Sequence, residues 1–152
     1  MVGNLDLSRS KLYRRYVRFE DVKIAYRELL AAVIAFLYFA PKSPSSLVRI
    51  NCDNQNVVSW LNKGRCPKKL GYRLLSIIEL VKLKFNLKTS TVYIKSSSNT
   101  SADALSRGRI PRWLKNRGKR VHIDMEKIDR ILLDPISSWK KALFVQGRLS
   151  NY

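Results

Sequence analysis

Between Asp21 and Ala40 the apolar residues Ala25, Leu29, Ala32, Val33, Phe36, Leu37 and Ala40 recur at three- and four-residue spacings, which puts them on one face of a helix. Pro41 has no amide hydrogen to continue the ladder and ends it. After the Pro- and Ser-rich residues 41–46, Val48, Ile50 and Cys52 alternate with Arg49 and Asn51, predicting a strand that runs out at Asp53. Val57, Val58 and Leu61 then mark the inner face of a short helix over residues 54–62, closed by Lys63 and Gly64. A second long helix is predicted over Leu70–Phe85, because Leu74, Ile77, Ile78, Val81 and Phe85 keep the helical period while Lys82 and Lys84 stay off it. The β-branched and aromatic run Ser90–Lys95 predicts a strand, and residues 96–101 (SSSNTS) offer caps for a helix beginning near Ala102. Upstream, Lys11–Arg18 alternates loosely and predicts a short basic strand.

Strands alternating with helices point to an α/β layer structure, with parallel strands joined by a right-handed crossover. The composition shifts after Ser106. Arg107–Arg120 holds seven basic residues and no acidic one. The expected organisation is therefore a domain over residues 1–107 and a basic extension over 108–152, with short helical pieces near Met125–Leu133 and Trp139; no repeat is visible.

Composition narrows the partners. The 152 residues carry 30 Lys and Arg against 11 Asp and Glu, a formal charge of +19, while 45% are hydrophobic and 10% aromatic. That apolar share excludes wholesale disorder. A positive excess of this size is self-repulsive unless an anion neutralises it, and phosphate backbones are the commonest such partner. The longest apolar run, Leu29–Ala40, has twelve residues, short of the roughly 18–20 that span a bilayer, so no membrane span is expected. Two cysteines are too few for a disulfide framework, and no secretory pattern opens the chain; an intracellular location, cytoplasm or nucleus, is the expectation.

With so few acids, each position is informative. Glu28 lies within the first helix (YRELLAA), Asp53 where the first strand ends (VRINCDNQN), and Asp103 at the start of the short helix (NTSADALSR). In open α/β sheets, groups at the carboxyl ends of strands and on neighbouring helices face one crevice. Clustered carboxylates repel, and a hard divalent cation relieves that repulsion; Mg²⁺, or Mn²⁺, takes oxygen ligands and is completed by substrate phosphates. Each acid also has a plainer reading: Asp53 as a helix cap, Asp103 as a first-turn acid, Glu28 as a surface charge paired with Arg27 or Lys82.

Together the motifs carry a resemblance. RELLA in a helix, a strand into DNQNVV with LNKG after it, and a strand followed by NTSADALSR are similar to the ribonuclease H domain of retroelement reverse transcriptases, particularly the tyrosine-recombinase and gypsy-like groups. The resemblance covers residues 26–107. It implies a ribonuclease H-like mixed five-stranded sheet flanked by helices, with metal ligands in the order Asp, Glu, Asp, Asp. Residue by residue, it implies that Glu28, Asp53 and Asp103 hold metal, that Asn54 follows the central acid, and that Asn99, Ser106 and Arg107 frame the last. Related integrases end their series with a glutamate; Asp103 in an AD-x-LSR context favours RNA cleavage over strand transfer.

The departure is at the front. Family members open with a strand bearing the first aspartate and two more strands, whereas 27 residues precede Glu28 here, too few for three strands of about 5–6 residues with turns. Asp6, in NLDLS, is the one acid far enough upstream, and its context matches poorly. Since the family's first aspartate bridges two metals, its loss lowers affinity for the second ion and the rate with it. The resemblance supports fold and substrate class more than full activity.

Lys63, Arg65, Lys68, Lys69 and Arg73 form a basic cluster between helices, read as contacts to a nucleic-acid backbone together with Asn54 and Arg107. Trp60 is read as packing, His122 as a surface histidine, Cys52 as core and Cys66 as incidental. Arg109–Arg120 interleaves Trp113 with cations, which suits a nucleic-acid grip or a linker to further domains of a polyprotein. The leading expectation is Mg²⁺-dependent hydrolysis of the RNA strand of an RNA/DNA hybrid. The alternatives are a catalytically degenerate binding module of the same fold and a basic RNA-binding structural protein.

Overall fold

The structure, a computed structural model, describes residues 24–115, 122–124, 126 and 129–130. The predicted strand Lys11–Arg18, the candidate ligand Asp6 and the Trp139 segment lie outside these residues, as does most of Met125–Leu133.

The described elements, in chain order, are α1 (Ile24–Phe39), β1 (Leu47–Cys52), α2 (Gln55–Lys63), α3 (Lys69–Phe85), β2 (Lys88–Tyr93), α4 (Thr100–Ser106) and the single turn α5 (Arg112–Lys115). The chain is a mixed α/β structure whose described residues form one two-stranded parallel sheet. Leu47 pairs with Lys88 and Cys52 with Tyr93. The five-stranded sheet that the resemblance implies is thus represented by two strands among the described residues.

The boundaries follow local chemistry. A tight turn over Ala40–Lys42, with Pro41 in its first positions, ends α1. Asn54 caps α2 by accepting the Asn56 amide at 3.0 Å, and Gly64 ends that helix in the left-handed region at φ 63°. Asn86 closes α3, also left-handed at φ 52°, and the Leu87 amide then donates to Lys82 O at 2.9 Å. This cap turns the chain straight into β2, which therefore starts at Lys88 and ends at Tyr93 rather than spanning Ser90–Lys95. The helix expected from Ala102 starts at Thr100. Asn99 makes no side-chain cap; its backbone amide donates to Ser96 O at 3.0 Å, closing the turn Ser96–Ser98.

The core lies between α1 and α3. Leu29, Val33, Ile34 and Leu37 of α1 meet Leu74, Ile77, Ile78 and Val81 of α3, with Val57 of α2 joining them, all nearly inaccessible to solvent. Each such side chain contributes about 1.5–3 kcal/mol of transfer free energy. The buried face of α1 is wider than the predicted stripe: Tyr26, Leu30 and Ile34 are buried, while Ala32 lines a cleft. Val48, Ile50 and Cys52 of β1 pack against this core, and the opposite face of the strand exposes Leu47, Arg49 and Asn51. Ile123 also packs on the core and Asp129 is buried, so packing reaches past Arg107.

The apolar stretch is longer than the unbroken run Leu29–Ala40. Counting an unbroken apolar run understated α1, because a helix tolerates Arg27 and Glu28. Ile24–Lys42 has 19 residues at a mean hydropathy of 1.5, long and apolar enough to cross a bilayer by length and composition. Half of that window is buried within the fold, as suits a core helix packed on α3.

Candidate metal and nucleic-acid site

Glu28 sits one turn into α1, and Asp53 follows the last residue of β1, so a helix start and a strand end bring the two carboxyl groups together. Cys52 stands with them: one ligand atom from each of Glu28, Cys52 and Asp53 lies within 4.8 Å of the other two. The Cys52 thiol approaches Glu28 Oε2 at 4.0 Å and Asn54 O at 3.8 Å, and the Asn54 amide donates to Cys52 Sγ at 3.4 Å. The capping reading of Asp53 fails, because the cap of α2 is Asn54. The pairing of Glu28 with Lys82 fails too: Lys82 binds Glu79 at 2.7 Å.

The electrostatics follow from half-burial and like charge. Burial, and then the neighbouring Asp53 carboxylate, raises the Glu28 carboxyl above its ordinary value, while a hydrogen bond with the Asn54 side chain opposes the rise. Burial likewise pushes the Cys52 thiol up, with Glu28 and Asp53 adding to it against a backbone hydrogen bond at Asn54.

Asp103 is half-buried in the first turn of α4 and lines the same cleft of about 1570 Å³ as Glu28, Cys52 and Asp53. It stands outside the converging trio, and its Oδ1 accepts from Arg107 Nε at 3.0 Å. That pair is solvent-exposed, and exposed pairs are worth about 0–1 kcal/mol, so an approaching ligand can displace it. Asn99, Arg107, Arg27 and Arg49 also line the cleft. Asn54 has a structural role already, as a cap and as a partner of Glu28.

The basic cluster lies elsewhere. Lys63 at the end of α2, Arg65 and Lys68 on the connection and Lys69 at the start of α3 are exposed, and Arg73 is half-buried on α3; none of the five lines the cleft. The arginines that line the cleft with the carboxylates are Arg27, Arg49 and Arg107; sequence reasoning named Arg27 only as a pairing partner of Glu28 and passed over Arg49. The signal for Arg49 was available, since it alternates out of β1 toward the strand's free face. His122 is exposed as expected, and Trp60 packs, its ring 5.1 Å from that of Tyr26. Cys66 is a correction: far from incidental, it is 2% exposed, with its thiol 3.8 Å from Tyr26 Oη in the core. A cysteine flanked by Arg65 and Pro67 carries no periodic signal of burial.

As a donor set, Glu28 and Asp53 offer hard carboxylate oxygens and Cys52 a sulfur. Comparison of the chain with protein-family models, with curated proteins and with solved structures gives no match.

Proposed function

We propose that this chain is a ribonuclease H-like domain of a retroelement that binds an RNA/DNA hybrid and hydrolyses its RNA strand with Mg²⁺ or Mn²⁺. The observation that carries the reading is the meeting of Glu28 and Asp53 at the carboxyl end of β1, on a cleft whose wall also holds Asp103. Two carboxylates forced together at half-burial, with Glu28 raised as a result, are a pair that a divalent cation would relieve.

Glu28 and Asp53 would hold the ion, with Asp103 reaching it once released from Arg107. When bound, such an ion supplies charge stabilisation at the scissile phosphate and lowers the pKa of water. The chain's own groups do the rest. Arg27 and Arg49 face incoming phosphates at the cleft, and the Lys63–Arg73 surface adds backbone contacts away from it. A hybrid would be told from DNA by shape and 2′-hydroxyls in its wide minor groove.

A labelled hybrid incubated with the chain over a titration of Mg²⁺ or Mn²⁺ tests this. Cleavage of the RNA strand that Asp53→Asn abolishes, with salt-sensitive binding retained, is the expected result; equal loss of binding and cleavage contradicts it. The Asp103–Arg107 pair favours a second reading, a binding module that kept the fold without hydrolysis, and tight binding with no cleavage at any metal concentration decides for it. Equal affinity for duplex DNA, RNA and hybrid with no metal response points instead to a basic structural protein.

A further inference from the structure

The sulfur of Cys52 is placed as firmly as the carboxylates beside it. Cys52 O accepts the Ile94 amide at 3.0 Å and the residue pairs with Tyr93 across the sheet, which fixes the backbone at the end of β1. From there the thiol reaches to 4.0 Å from Glu28 Oε2, and the sulfur accepts the Asn54 amide at 3.4 Å. Asn54 serves two donors at once, since its side chain also hydrogen-bonds Glu28, and its own position is set by capping α2. Metal-ligating side chains are oriented by outer hydrogen bonds of this kind, and an N–H directed at sulfur favours the thiolate that binds metal. Cys66 shares none of this. It is 2% exposed, with its thiol against Tyr26 Oη in the core.

The spacing suits a small tetrahedral ion. A metal–sulfur bond of about 2.3 Å and a metal–oxygen bond of about 2.1 Å at the tetrahedral angle put sulfur and oxygen about 3.6 Å apart. Cys52 Sγ and Glu28 Oε2 stand 4.0 Å apart, so a small turn of the glutamate side chain closes the difference. Asp53 supplies the third atom, and all three ligand atoms lie within 4.8 Å of one another. Three protein ligands leave the fourth tetrahedral position open, and all three residues line the cleft. Mg²⁺ takes oxygen and gains nothing from the sulfur, whereas thiolate selects ions such as Zn²⁺, which also outranks Mn²⁺ at mixed donor sites.

We propose that Glu28, Cys52 and Asp53 bind a thiolate-seeking divalent ion of the Zn²⁺ class, with Cys52 as its sulfur ligand, and that this ion takes the place of Mg²⁺ and holds the site inactive. Cys52 gives its thiol proton to solvent as the metal–sulfur bond forms. The bound ion then has one open position, where Mg²⁺ would keep several for water and phosphate together. Exchange of one ion for the other is therefore a switch. The binding stands on the three side chains alone, and the switching rests on the nuclease reading.

Co²⁺, which adopts the coordination of Zn²⁺ and absorbs light, tests the binding in the full chain. The expected result is a near-ultraviolet thiolate-to-cobalt charge-transfer band that saturates at one ion per chain and that Zn²⁺ erases. The band should persist in Cys66→Ala, where Cys52 is the one cysteine left, and vanish in Cys52→Ser. Cys52→Ser should also lower Zn²⁺ affinity at least about tenfold, since loss of even an outer partner of a ligand costs that much. No band in the parent, a band that survives Cys52→Ser, or equal Zn²⁺ affinity in the two chains overturns the proposal. Where the variants fail to fold, zinc-edge X-ray absorption on the unaltered chain decides: a sulfur neighbour at about 2.3 Å is expected, and an all-oxygen shell overturns it.

Hybrid cleavage in Mg²⁺ with added Zn²⁺ tests the switch. Cleavage that falls as Zn²⁺ saturates the site and returns with excess Mg²⁺ or a zinc chelator is the expected result, and cleavage untouched by saturating Zn²⁺ overturns it. A cobalt band in a chain that cleaves nothing in Mg²⁺ keeps the metal site and sinks the nuclease reading together with the switch. Cleavage in Mg²⁺ without a cobalt band does the reverse, leaving the nuclease and removing Cys52 from its site.

Discussion

Cys66 Sγ occupies the space that a side chain at residue 71 would need. A Cβ built on Gly71 would overlap that sulfur and would lie 3.3 Å from the Tyr26 ring. Gly71 is buried inside α3, where glycine is otherwise unfavourable, so the close approach of the Cys66 loop accounts for its presence.

Gly71→Ala should therefore destabilise the fold by about 1–3 kcal/mol through overpacking, although alanine is the better helix former. In a Cys66→Ala background the same substitution should cost less, because the two sites share one volume. Urea denaturation of the two single variants and the double variant measures this coupling.

Asn62→Ala would strip both hydrogen bonds from the Thr91 backbone, at a residue only 7% exposed. Leaving a buried amide and carbonyl without partners costs about 1–3 kcal/mol. Asn62→Asp keeps the acceptor for the Thr91 amide and loses the donor to its carbonyl, so its urea midpoint should differ from that of Asn62→Ala.

The raised Glu28 carboxyl makes stability depend on pH. The native state holds this proton more tightly than the unfolded chain, so the contribution is fully present below the ordinary value of 4.5 and is lost as pH rises through the raised value. Glu28→Gln should melt higher than the parent at pH 7, with the difference narrowing below about pH 4 as Glu28 protonates in both states. Thermal melts at the two pH values show it.

Millimolar Mg²⁺ should raise the melting temperature of the parent by binding the native carboxylate pair, and a chelator should reverse the rise. Asp53→Asn should lose the response while keeping the same fold by circular dichroism.

Lys63→Gln and Lys69→Gln, both exposed, should each lower the slope of log affinity against log salt by about 0.7–0.9 for a nucleic-acid duplex or strand. Fluorescence anisotropy at several salt concentrations measures the slope. An unchanged slope would place these two lysines outside the nucleic-acid contact.

The helices α1, α2 and α3 and the strand β1 were legible in the chain because their signals are local. Apolar spacing, a proline and a glycine act within a few residues of the elements they bound. The candidate trio was legible only in part: Glu28 and Asp53 could be named, but their meeting depends on α1 folding back along β1, which no local pattern encodes. The partnership of Asp103 with Arg107, four residues apart, went unread beneath the metal motif and the first-turn reading of the acid. Cys66, Gly71 and the Asn62–Thr91 clasp were invisible because each joins residues across a turn or between elements, where contact is set by packing. Periodicity decides which face of a segment turns inward; only the assembled layers decide what that face meets.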